Sequence, residues 1–314
     1  MPYLIGTDEA GYGPNLGPLA ICGTCWRVPA LDADLYSQLA PIVHHGISTN
    51  RITVCDSKVL FKSGGSIRPL ETSVLAIVGS IQNDLPVNLQ ELAASLGFDV
   101  SSSDEREIWN FSHAAIPVAS DPQQIRELAD QFAAACANAQ IELKAISARI
   151  LFPRQFNKLI NLHHNNKAEL LSAQTIQCAR QLACGVDEPI RFVCDKHGAR
   201  NRYAAMINQF MTDECLCVEQ ESAAISSYAW HDGAPRQMQF VVKGESQFPV
   251  ALASMVAKYI REVAMGIWNR FWLAQLPGLR PTQGYPSDAR RFKRDIFDKQ
   301  LELGISDESI WRTV

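Results

Sequence analysis

The chain has 314 residues, 47% of them apolar, enough for a full core in one large domain or in one domain carrying a sizeable insertion. Its 29 Lys and Arg against 33 Asp and Glu leave a net charge of −4, which excludes indiscriminate polyanion binding but leaves room for a local basic groove. Nine cysteines without paired spacing, no secretory leader and no apolar run of membrane-spanning length predict a soluble, reduced, cytoplasmic protein, not a disulfide scaffold or a membrane protein.

Tyr3-Leu4-Ile5-Gly6-Thr7 reads as a strand, with Asp8 and Glu9 at its C-terminal end and Ala10-Gly11-Tyr12-Gly13-Pro14 directly after. The glycines free the backbone to turn, so both carboxylates can reach one point. Two such acids make half of a hard-metal site, although an isolated Asp-Glu pair is more often a polar strand end before a turn. Leu19 to Val28 is a second strand; its Cys22 and Cys25 have no second pair of that spacing elsewhere, so structural zinc is not expected. From about Lys62 to Gln140 the pattern turns helical (Leu70 to Ile81, Leu89 to Leu96, Gln124 to Asn138), interrupted by polar breaks such as Ser101-Ser102-Ser103-Asp104-Glu105. This predicts a mainly helical insertion, 63–140, between the two parts of a catalytic domain, 1–62 and 141–314.

Ala145 to Phe152 reads as a third strand, antiparallel with the first two. His163-His164 lie in an Asn-rich loop without ligand partners nearby and are not taken as a metal site. Asn166 to Cys184 has helical spacing and ends at Gly185, a good stop signal. Ile190 to Cys194 is a short buried strand closed by Asp195, with a helix expected from Gly198 through Met211. An acid there sits at the carboxyl edge of a sheet, where ligands gather in α/β folds. Cys215 to Glu219 and Gln237 to Val242 read as a further strand or hairpin, and Lys243-Gly244-Glu245 leads into a helix over Pro249 to Trp272.

Asp8, Glu9, Asp195 and Glu245 thus each stand at the edge of a regular element. Taken singly, each is more often a solvated surface acid. Clustered, four carboxylates stay ionised only if cations neutralise them, and two Mg2+ or Mn2+ ions about 4 Å apart are the usual solution, a site type that hydrolyses phosphodiesters. Lys196, His197, Arg200 and Arg202 follow Asp195 at the expected helix start, a cradle suited to phosphate; the competing reading is a solvated helix face. A lone histidine such as His197 is more often structural than a proton shuttle. Arg290, Arg291, Lys293 and Arg294 form a second basic cluster, on the last helix.

Gly6-Thr7-Asp8-Glu9-Ala10-Gly11-Tyr12-Gly13, then Asp56-Ser57-Lys58, the strand-ending Asp195, and Lys243-Gly244-Glu245 followed by Ala253-Ser254-Met255-Val256-Ala257-Lys258 resemble, in type and order, the type 2 ribonucleases H, ribonucleases HII and HIII. The resemblance covers most of 1–62 and 141–300 and not the insertion. It implies an α/β, ribonuclease H-like mixed sheet, three antiparallel strands then parallel ones, with flanking helices. It implies a two-metal endoribonuclease cutting the RNA strand of RNA/DNA hybrids or of duplexes containing ribonucleotides. Asp8, Glu9, Asp195 and Glu245 would be the catalytic metal ligands. Gly11, Tyr12, Gly13, Lys58, Lys196, Arg200, Arg202, Lys258 and Tyr285 would meet the substrate. Three departures matter. Ribonuclease HII usually carries arginine where this chain has Tyr12. Glu245 matches ribonuclease HIII, yet Asp8 leaves no room for that group's N-terminal substrate-binding domain. The Glu245 to Ser254 spacing is about one residue short, which keeps Glu219, Glu221 and Asp232 open as alternative fourth ligands. A hybrid-binding protein that has lost turnover and a related metal-dependent DNA nuclease are the competing functional readings.

Overall fold

The computed structural model describes every residue except 47, 49, 62–64, 83, 99–113 and 314, so the polar break at Ser101 to Glu105 lies outside the described residues. Alternation of apolar side chains sets the architecture. Strand β1 (Tyr3–Ala10) sends Leu4 to one face and Ile5 to the other, and β2 (Leu19–Arg27) does the same with Ala20 and Ile21. Both faces are therefore apolar and both must be covered, the condition for helices on each side of a sheet. Cys22 and Cys25 fall on opposite faces by the same logic, so this Cys-x-x-Cys cannot close on one ion.

After β2 come the short α1 (Leu35–Gln38), a small parallel pair β3 (Val43–His44) and β4 (Ile52–Thr53), and α2 (Ser57–Leu60), capped by Asp56. The expected insertion supplies α3 (Arg68–Gly79), α4 (Leu89–Leu96) and α5 (Pro122–Asn138), close to the three predicted helices. Their apolar stripes join Leu4, Ala20 and Trp26 in one core with the later helix α9 (Phe248–Gln275). The third strand, β5 (Glu142–Leu151), leads to α6 (Pro153–Leu162) and α7 (Lys167–Leu182), the latter started by Asn166 accepting from the Ala168 and Glu169 amides. Then follow β6 (Ile190–Asp195), α8 (Ala204–Phe210), β7 (Cys217–Glu221), β8 (Ile225–Asp232) and β9 (Ala234–Val241). A 3-10 turn at Gly244–Ser246 enters α9, and α10 (Pro286–Glu302) and α11 (Asp307–Ile310) complete the order.

Among the described residues the main sheet has seven strands in the order β5-β2-β1-β6-β9-β8-β7. β5, β2 and β1 run antiparallel, and β6 and β9 are parallel to β1, as the resemblance implies. Helices α6, α7 and α8 cover the second face against Ile5, Ile21 and Phe192. Two expectations need correction. The helix expected from Gly198 begins only at Ala204, because residues 196–203 are held as an irregular loop by side-chain contacts described below. The strand β8 was not foreseen; its Ser226 and Ser227 interrupt the apolar alternation, but they are buried and bonded, Ser226 Oγ to the Asn201 carbonyl at 2.6 Å and Ser227 Oγ to Glu219 at 2.6 Å.

The 63–140 segment is tied to α9 by one fully buried carboxylate. Glu71 on α3 accepts from the backbone N–H groups of Val118 (2.6 Å), Ala119 (2.7 Å) and Ser120 (2.8 Å) and from the Tyr259 hydroxyl (2.9 Å).

Candidate active site

Parallel pairing of β1 with β6 matches Thr7 with Cys194, so the next positions, Asp8 and Asp195, emerge side by side at the carboxyl edge of the sheet. Gly6 lets a third element close in: a Cβ there would collide with the Pro249 backbone, so only glycine allows the start of α9 to lie directly on β1. That approach is fastened by Thr24 Oγ1 donating to the Pro249 carbonyl at 2.9 Å. It brings Ser254 onto Asp8, whose carboxylate accepts its hydroxyl, and Ser254 in turn lies 3.2 Å from Ser57 at the start of α2. Glu245 is placed by the turn before α9. Lys243 adopts a left-handed conformation, φ 58°, and the Gly244 N–H donates to Asp195 Oδ1 at 2.8 Å, which hangs Glu245 beside Asp195.

The electrostatics are those of crowded acids. Burial, then Glu9 and then Asp195, push the Asp8 carboxyl well above the usual range, against the bonds from Ser254 and from the Glu9 amide (2.7 Å). Burial and the neighbouring Asp195 push Glu9 up to about 7. Asp195 is raised by burial, resisted by the Gly244 N–H, and raised again by Glu245. Lys58, exposed on α2, is the cation that lowers both Glu9 and Asp195. Hard carboxylate oxygens short of positive charge are the donor chemistry that Mg2+ or Mn2+ selects. Among the described residues, no three His, Cys, Asp or Glu side chains are gathered as a closed metal cage. The acids are linked instead as neighbours, Asp8 with Glu9 and Asp195, and Asp195 with Glu245. Of the alternative fourth acids, Glu219 accepts from Ser227 and Gln237 and Glu221 from Tyr228, all toward the far edge of the sheet, and Asp232 lies at the opposite end of β6.

The glycine loop forms one rim. Gly11 has φ 92°, and a Cβ would stand 2.6 Å from both the Arg261 side chain and the Pro18 carbonyl, so no other residue fits. Tyr12 is half-buried; burial and then nearby Glu9 raise its hydroxyl, while nearby Arg200 opposes them. Tyr285, 50% exposed, faces Gly13.

The basic residues after Asp195 divide into two kinds, and the expected helix-start cradle is not formed. Lys196 is buried, its ammonium donating to Asn201 Oδ1 (2.8 Å), the Ala223 carbonyl (3.1 Å) and the Ser222 carbonyl. His197 is buried between Ser172 (2.9 Å) and Thr175 (3.3 Å), and desolvation pulls it down to about 3, so it is a neutral packing element. Arg200 lies over the Tyr203 ring at 5.9 Å, and Arg202 is 90% exposed, 3.6 Å from Glu221. Lys258 is also committed, to Glu262 at 2.7 Å and to the face of Phe61. On α10, Arg291 bridges Asp288 and Asp295 and Lys293 pairs with Asp307. His163 faces Glu169 at 3.6 Å. Sequence reading assigned no role to Ser57 and Ser254 and overlooked Arg261 and Arg312. Ser254 sits in Ala253-Ser254-Met255 and its hydroxyl is a legible donor for a nearby acid, with Ser57 behind it, but no local signal marks the two arginines.

No family model matches the chain, and no curated protein matches it. The chain is similar to several solved structures. Over 99% of its length and 93% of theirs it is similar to ribonuclease HII in its complex with PCNA from Archaeoglobus fulgidus (13% identity, TM-score 0.43) and to ribonuclease H2 from Pyrococcus horikoshii OT3 (14%, 0.45). Over 99% of its length and 66% of that chain it is similar to Bst-RNase HIII in complex with Mn2+ (14%, 0.43). Among the described residues no helix is long and apolar enough to cross a membrane.

Proposed function

We propose that this protein is a metal-dependent endoribonuclease that hydrolyses the RNA strand of RNA/DNA hybrids or of duplexes containing ribonucleotides. The observation that carries the reading is the meeting of Asp8, Glu9 and Asp195 at one sheet edge, with Glu245 hung beside them by the Gly244 to Asp195 bond. Asp8, Glu9, Asp195 and Glu245 would hold two Mg2+ or Mn2+ ions, which when bound supply Lewis acidity to an attacking water and to the leaving oxygen. The chain's own residues orient and bind. Ser254 and the Glu9 amide hold the Asp8 carboxylate in place, and the Gly244 N–H holds Asp195 through Oδ1. Lys58 supplies positive charge beside the acids, suited to a phosphate next to the scissile one. The Gly11 and Gly13 backbone, Tyr12 and Tyr285 offer close approach and ring faces to sugars and bases. We place the catalytic unit in residues 1–62 and 141–314, with 63–140 as an insertion bracing α9.

One observation favours a second reading. The acids stand as neighbours and not as a closed cage, which also suits a hybrid-binding protein without turnover. Cleavage of end-labelled RNA/DNA hybrid, single-ribonucleotide duplex and DNA duplex, each with Mg2+ and with Mn2+, separates the readings. The proposal expects cuts in the RNA strand that need metal. Binding without cuts supports the second reading, and cuts in the all-DNA duplex point to a DNA nuclease.

A further inference from the structure

The glycine loop is gripped by Arg312, 301 positions from Gly11 in sequence. Arg312 is fully buried, and its guanidinium donates from Nη1 to the Gly11 carbonyl (2.7 Å), from Nε to Gly17 (2.9 Å) and from Nη2 to Pro18 (3.2 Å). Its backbone N–H donates to the Asn15 carbonyl at 2.9 Å, and neighbouring Trp311 bridges Leu16. The Phe156 ring lies 5.1 Å from the guanidinium on another side, and Asn157 holds the segment by donating to the Trp311 carbonyl (2.8 Å) and accepting from the Thr313 N–H (2.9 Å). From a third side Gly284 accepts from the Asn15 and Leu16 amides. Among the described residues, Arg312 makes carbonyl bonds and no ion pair; burial and Arg261 pull it down to about 9, which leaves it charged at neutral pH.

A buried cation held by carbonyls and an aromatic ring, with no ion pair among the described residues, is a costly way to hold a loop for stability alone. The planar fork explains the choice: three carbonyls at both ends of one loop can be held in fixed geometry by a guanidinium, whereas an ammonium is a point donor that cannot span them. The held end is the functional one, since Gly11 is directly followed by Tyr12, which lies beside Glu9. We propose that Arg312 is a positioning residue that fixes the Gly11–Pro18 loop, so that Gly11, Tyr12 and Gly13 meet the substrate in one conformation. The inference rests on the loop being a substrate surface of the proposed nuclease.

The test uses Arg312→Lys in the full chain, with Arg312→Ala beside it; the lysine variant keeps the buried charge and carries the test if the alanine variant does not fold. Hydrogen exchange is followed in wild type and variant without substrate. Amides in 11–18 should exchange about tenfold faster in the variant, the effect of losing one charge-assisted bond, while those of β6 and α9 are unchanged. On labelled hybrid, KM should rise about tenfold with kcat within about twofold, and in a Tyr12→Phe background the added effect of Arg312→Lys on KM should shrink, because both changes act through one loop. Unchanged exchange at 11–18, or exchange accelerated throughout the molecule, would overturn the clamp. Faster exchange at 11–18 with KM unmoved, or with kcat falling as far as kcat/KM, would overturn its role in substrate positioning. A wild type that neither cuts nor binds hybrid would end the nuclease reading alone, and the exchange experiment would still decide whether Arg312 holds the loop.

Discussion

Glu71 is a fully buried carboxylate and Asp8 a half-buried one, and this protein treats them in opposite ways. Glu71 receives four donors, three backbone N–H groups and the Tyr259 hydroxyl. Asp8 receives the Glu9 amide and the Ser254 hydroxyl while facing Glu9 and Asp195, and is driven well above the usual carboxylate range. A satisfied buried charge fixes structure, and an under-satisfied cluster holds electrostatic stress that a ligand can relieve. The contrast separates the bracing of α9 from the chemistry proposed at the sheet edge.

The largest effect should come from removing an acid on the stressed side. Asp8→Asn or Asp195→Asn should lower hybrid cleavage about a thousandfold or more, as the loss of several kcal/mol of metal-borne stabilisation requires. Melting temperature should hold or rise, because a like charge leaves the cluster. Hybrid affinity should largely persist, since it rests on phosphate contacts. Wild-type turnover by either variant, followed with labelled hybrid, would remove the acids from the reaction.

The opposite pattern is expected at Glu71. Glu71→Gln turns one acceptor oxygen into a donor facing N–H groups and should cost about 3 kcal/mol in urea unfolding, near the range for bonds to a charged group. Activity below the melting transition should be kept. Loss of activity with unaltered stability would erase the distinction between the two carboxylate sites.

Added Mg2+ or Mn2+ sharpens the comparison without a substrate. An ion that binds the folded acids stabilises by about 2.7 kcal/mol at a hundredfold excess over its dissociation constant. Wild type and Glu71→Gln should both show this rise in melting temperature, and Asp8→Asn should show little of it. Equal rises in all three would place the ion elsewhere.

What sequence could reveal followed the range of the interactions. The ends of β1 and β6 were legible because strand periodicity, terminal acids and following glycines are all local, and the three antiparallel strands followed from the same patterns. The helices of 63–140 were legible from their own apolar stripes. The loop after Asp195 was not, because what decides it is Lys196 reaching Ser222 and Ala223 across the sheet edge, together with the Tyr203 hydroxyl accepting from the His197 amide. A local pattern of basic residues after a strand says nothing of those acceptors. The four bonds to Glu71 and the grip of Arg312 on Gly11 are equally silent, since each joins segments whose separation leaves no periodic trace.

The smallest effect extends the contrast from carboxylates to cations. Lys196 is the counterpart of Glu71: buried and bonded to three oxygens, it has no donor left for a phosphate. Arg200 and Arg202 lie on the other side of the divide. Arg202 is almost fully exposed, and its pairing with Glu221 at 3.6 Å is the kind of surface ion pair worth little, so it can be exchanged for a phosphate. Arg200 stands near Tyr12 over the Tyr203 ring. Replacing both with alanine should therefore weaken hybrid binding modestly and flatten its dependence on salt, by about 0.9 in the log-log slope for each phosphate no longer neutralised if the duplex behaves as B-form. The chemical step should change less than affinity. Binding isotherms at several salt concentrations measure the slope directly. An unchanged slope would leave both arginines as solvated loop residues and move the search for the phosphate track to Arg290 and Arg294 on α10, whose neighbours Arg291 and Lys293 are already paired with acids.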